Sequence, residues 1–101
     1  MKRIIDGKTY NTETATLIGT YGNGLSRSDF GFLDKGLYLT KKGRFFLAGE
    51  GGAMTEYSES YGGMSSEGEG ITVLSEAEAL TWAERHADID MIEKHFTVEE
   101  G

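Results

Sequence analysis

The chain has 101 residues and a formal net charge of −7, with 38% apolar residues, eleven aromatics, no proline and no cysteine. That length fits one domain, residues 1–101, with a single modest core, and the lack of cysteine excludes disulfides and thiolate metal sites. No apolar run approaches the roughly 20 residues of a membrane-spanning helix. The opening Met1-Lys2-Arg3-Ile4-Ile5 also meets Asp6-Gly7 too early for a signal peptide, so a cytoplasmic protein without a membrane role is expected.

In chain order, Ile4-Ile5-Asp6-Gly7-Lys8-Thr9-Tyr10 predicts a β-hairpin, because Asp-Gly suits a type I′ turn with two positive φ angles. Asn11 or Thr12 is expected to cap a short helix through Thr16 to Ile18, stopped at Gly19, with Tyr21-Gly22-Asn23-Gly24 as loop. Leu37 to Thr40 and Arg44 to Ala48 flank Lys41-Lys42-Gly43, which predicts a hairpin closed by a type I turn and a glycine bulge. That register sets Leu39 against Phe45 and Leu37 against Leu47 on one face, with Tyr38 and Phe46 on the other. Only the first face is expected to be covered by helix. The strand is expected to reach back toward Phe30 and Phe32 across a bend at Asp34-Lys35-Gly36.

Residues 49–70 are rich in glycine and glutamate and predict a long connection, with one helical turn carrying Met54, Tyr57 and Tyr61. Ile71 to Leu74 predicts a strand. Ser75 and Glu78 then form a capping box for a helix to about His86, whose Ala79, Leu80, Trp82 and Ala83 turn toward the sheet. Asp88 is expected to cap a last short helix with Ile89, Ile92 and Phe96 on one side, and the tail from Glu99 to fray. The pattern adds up to an α+β fold: a small antiparallel sheet with a central β-hairpin, packed against one or two C-terminal helices.

Charge is unevenly spread. Residues 1–44 hold eight Lys/Arg against four Asp/Glu, whereas residues 45–101 hold two against thirteen. Such a second half repels phosphates and favours basic protein surfaces.

No catalytic set is legible. The glycine runs lack the lysine and hydroxyl of a phosphate-binding loop. Counting from Asp88, the sixth and twelfth positions are Glu93 and Glu99, which breaks a calcium-loop pattern. His86 and His95 are too few for zinc, and no serine sits in a nucleophile elbow. A non-enzyme with no metal and no cofactor is expected. Lys35, Lys41, Lys42 and Arg44 with Tyr38 and Phe46 offer a basic, aromatic hairpin for single strands, but the acidic half disfavours direct nucleic-acid binding.

Gly7-Lys8-Thr9-Tyr10-Asn11, the central Leu37-Tyr38-x-x-Lys41-x-Gly43-x-Phe45-Phe46-Leu47-x-Gly49-Glu50-Gly51-Gly52-x-Met54 and the closing Leu74-Ser75-x-x-Glu78-Ala79-x-x-Trp82 resemble a family of small bacterial and phage proteins. The resemblance spans nearly the whole chain. It implies an origin on phages or mobile genetic elements and a role against host defences, of the anti-CRISPR kind, and it brings no catalytic residues. The expected function is therefore protein–protein interaction: an acidic inhibitor of a host defence complex that occupies a basic nucleic-acid-binding surface. Glu50, Glu56, Glu59, Glu67 and Glu69 are the expected contact charges, with Met54, Tyr57 and Tyr61 as apolar anchors. The alternatives are an accessory domain that binds a ligand or nucleic acid through the basic hairpin and the glycine-rich loop, and a structural protein that forms oligomers.

Overall fold

A computed structural model describes the backbone of residues 1–101 and every side chain except that of Tyr61. The fold is α+β. Strands β1 (Lys2–Ile5) and β2 (Lys8–Asn11) form the first hairpin, and β3 (Thr16–Gly22), β4 (Leu33–Leu39), β5 (Phe45–Gly51) and β8 (Gly68–Leu74) form an antiparallel sheet in that order. A small hairpin of β6 (Glu59–Tyr61) and β7 (Met64–Ser66) interrupts the path from β5 to β8, and helices α1 (Glu76–His86) and α2 (Ile89–His95) close the chain.

The first hairpin follows its turn chemistry, with Asp6 at φ 52° and Gly7 at φ 74°. The helix expected from Asn11 to Ile18 is instead a turn followed by β3. The Asn11 side chain accepts the Glu13 amide at 2.9 Å, which makes a local Asx turn. Beyond it, the β-branched threonines and Ile18 favour an extended chain, and pairing with β4 decides the outcome. A bulge between Leu17 and Gly19 turns Ile18 into the core. Gly19 stops no helix. It lets β3 approach Ala87 at the end of α1, since a methyl there would lie 2.9 Å from the Ala87 Cβ.

The central hairpin has the expected register, Leu39↔Phe45, Tyr38↔Phe46 and Leu37↔Leu47. Gly43 sits at φ 85°, and the Thr40 amide donates to the Arg44 carbonyl at 2.8 Å. Strand β4 runs unbent through Asp34, Lys35 and Gly36 and begins at Leu33, leaving Phe30 and Phe32 in the preceding turns.

Both faces of this hairpin are covered, where one was expected. On the helix face, Ile18, Leu37, Phe45 and Leu47 pack with Ala79, Ala83 and Phe96, and the Phe45 and Phe96 rings stack 4.8 Å apart. On the other face Phe46 is fully buried, stacked on Tyr38 at 5.3 Å and met edge-on by Tyr10 at 5.5 Å. The first hairpin thus acts as a second cover, which its local sequence does not disclose.

The capping box of α1 is complete: Ser75 Oγ accepts the Glu78 amide at 3.1 Å, and Glu78 Oε1 accepts the Ser75 amide at 2.9 Å. Asp88 stands at the N-cap of helix α2, as expected, but its side chain makes no capping hydrogen bond. Its buried side carries Met91 and Ile92, with Phe96 just beyond, while Ile89 is 74% exposed rather than packed. Among the described residues no helix is long and apolar enough to cross a membrane.

Candidate functional site

The long connection expected over residues 49–70 does not exist as a loop. Its two Gly-Glu-Gly stretches are strand ends in register: Gly49↔Gly70, Glu50↔Glu69 and Gly51↔Gly68 pair across β5 and β8. Side chains alternate across a strand, so the four glycines share one face and the two glutamates the other. The glycine stripe continues the helix face beyond the reach of the helices. A turn over residues 53–57, rather than a helical turn, folds back across it.

Tyr57 fills the space that the glycines leave. A methyl on Gly49 would run into its ring, one on Gly68 into its carbonyl oxygen, and one on Gly51 into Thr55. The repeated glycines are therefore a seat for this turn and not a phosphate cradle. Lys35 lies 5.6 Å from the centre of the Tyr57 ring and pairs with Glu56 at 2.5 Å. Burial, and the nearby Glu56 carboxylate second, push the Tyr57 phenol up to about 12.

Across the sheet, Glu50 and Glu69 are direct cross-strand neighbours, and like charges so placed repel. Arg27, from the loop before β4, relieves this with a two-pronged pair to Glu50, at 2.5 Å and 3.3 Å. It also stands 5.4 Å from the Phe32 ring centre. The bond to Glu50 and its charge push the Arg27 guanidinium further up from its ordinary range. Arg27, Phe32, Glu50, Glu67 and Glu69 line an open cleft of about 170 Å³ at this end of the sheet.

The expected contact residues thus divide. Glu50 and the exposed Glu56 are paired within the chain, to Arg27 and Lys35, and Tyr57 is half-buried over the glycines. Glu59, Glu67 and Glu69 are exposed, and Met54 is 80% exposed. The Tyr61 side chain lies outside the described residues. Two exposed apolar residues at this end were not anticipated: Phe30, at 67%, and Met64, at 75%. Phe30 is tied to the Met54 turn, its carbonyl accepting the Met54 amide at 2.9 Å. The sequence signal for Phe30 was its place among Gly, Ser and Asp, where no strand partner was available to bury it. The Gly62-Gly63 pair before Met64 marks a hairpin tip in the same way.

Among the described residues no three His, Asp or Glu side chains group as a metal site. At the opposite end, the basic hairpin lacks the aromatic platform that the alternative reading would need, because Phe46 is fully buried and Tyr38 is stacked on it. The fold and the site define an α+β domain with a glutamate-bearing sheet end. No family model, curated protein or solved structure matches the chain.

Proposed function

We propose that this chain is a binding protein rather than an enzyme, and that it docks the glutamate-bearing end of its sheet onto a basic surface of a protein partner. The observation that carries this reading is the cleft in which Arg27 pairs with Glu50 while Glu67 and Glu69 remain at its rim. Arg27 shows in cis the contact that a partner's arginine would make: a fork on a carboxylate beside an aromatic ring. Met54, Phe30 and Met64 supply exposed apolar area near this rim, the mixture that protein interfaces use. On the resemblance of the central signature, the partner is a nucleic-acid-binding complex of host defence, blocked in the groove that would otherwise hold its polyanion.

The test is a charge reversal. Glu67→Lys with Glu69→Lys should abolish capture of the partner from host extract and relieve inhibition, with an unchanged circular-dichroism spectrum. Wild-type capture should weaken as salt rises, and a short duplex should compete for the same partner. Undiminished capture by the folded double variant would exclude this surface.

A further inference from the structure

The end of the sheet opposite the glutamates carries a second feature. The tip of the first hairpin and the tip of the central hairpin come together and enclose a groove of about 540 Å³. Lys8, Thr9 and Thr14 line it from one side, and Lys41, Lys42 and Arg44 from the other. Among the described residues, no carboxylate lines it. The chain is acidic overall, with 17 Asp/Glu against 10 Lys/Arg. Even so, among the described residues the ion pairs go to Arg27 and Lys35, and none of these four cations has one. Asp6 and Glu76 line the neighbouring hollow together with Lys8 and Arg44, and neither they nor Glu13, between Asn11 and Thr14 in the chain, lines the groove.

Four like charges held around one concavity repel one another, and a multiply charged anion relieves that repulsion. The volume is within the range of small-ligand sites. The Thr9 hydroxyl adds a neutral donor beside the cations, while that of Thr14 donates to the Asn11 carbonyl, and such a mixture suits phosphoryl oxygens. The base-stacking surface that a nucleic-acid strand uses is absent here, since Tyr38 and Phe46 are turned inward. We infer that the groove between the two hairpin tips binds a compact ligand with clustered phosphates, such as a free polyphosphate chain or the polyphosphate of a nucleotide. This site is independent of the acidic docking end, so either can fail without the other.

The experiment is an amide chemical-shift titration of the full chain with tripolyphosphate, ATP and a short single-stranded oligonucleotide, at matched low ionic strength, with sulfate as a control. Saturable shifts confined to residues 7–14 and 40–44 with tripolyphosphate support the site. Equal binding of ATP assigns recognition to the phosphates, and tighter binding of ATP identifies a nucleotide as the source. Lys8→Ala with Lys42→Ala should weaken binding at least tenfold, whereas Lys94→Ala, on α2, should not. Both variants must keep the wild-type spectrum elsewhere; if the double variant misfolds, Lys42→Ala alone should weaken binding severalfold. The inference is overturned if shifts spread equally over all basic residues, if sulfate reproduces them, or if only the oligonucleotide binds.

Discussion

The two ends of the β4–β5–β8 sheet are built on opposite principles. At the hairpin end, large side chains fill both faces: Leu37, Phe45 and Leu47 lie under the helices, and Phe46 lies under the first hairpin. At the glutamate end, Gly49, Gly51, Gly68 and Gly70 leave bare backbone, covered by one turn and one tyrosine ring. The first end gains its stability from buried apolar area. The second gains little from area and depends on the close fit of a ring over the glycine stripe. That leaves its other face free for charge, which a strand end packed on both faces would not allow.

The contrast is tested most strongly at the packed end. Phe46→Ala removes a fully buried ring with no solvent to replace it, and should cost about 3–5 kcal/mol. That is a large share of the stability of a domain this size, and urea unfolding will read it as a fall in midpoint. At the glycine end the damage comes from adding atoms. Gly49→Ala pushes on the Tyr57 ring and should cost about 1–3 kcal/mol by overpacking. Combined with Tyr57→Ala, the loss should be less than additive. Strict additivity would mean that the ring does not occupy the stripe.

Smaller effects separate the ends further. Ser75→Ala removes the hydroxyl half of the capping box at the packed end, and should cost about 1 kcal/mol in the same assay. At the glycine end, the folded Tyr57 phenol, at about 12, lies above the ordinary value of about 10. The folded state therefore holds this proton more tightly than the unfolded state does. Its contribution to stability is complete below about pH 10 and is lost as pH rises toward about 12. Ultraviolet titration should show a late phenolate step that Tyr57→Phe removes. Least of all, Arg27→Ala should leave the melting temperature nearly unchanged, because its pair with Glu50 is largely exposed. A large drop would mean that the glutamate end is held by charge rather than by fit.

Local chemistry made much of this legible in advance. Asp6-Gly7, Lys41-Lys42-Gly43 and Ser75-Glu76-Ala77-Glu78 each carry a turn or cap whose geometry depends on the residues themselves, so these elements and the register of the central hairpin followed from the sequence. The segment from Asn11 to Ile18 did not, because its preference for helix or strand is weak and pairing with β4 decided it. The glycine-glutamate segment misled for a related reason. Its glycines are strand residues because the turn that carries Tyr57, a residue six or more positions away in the chain, lies across them. The sequence by itself thus determined the turns, the caps and the split of charge between the two halves of the chain. Only the tertiary structure decided which glutamates are neutralised by Arg27 and Lys35, and which cations meet between the hairpin tips. Ion pairing and clefts depend on distances across the sheet, and no local pattern records those.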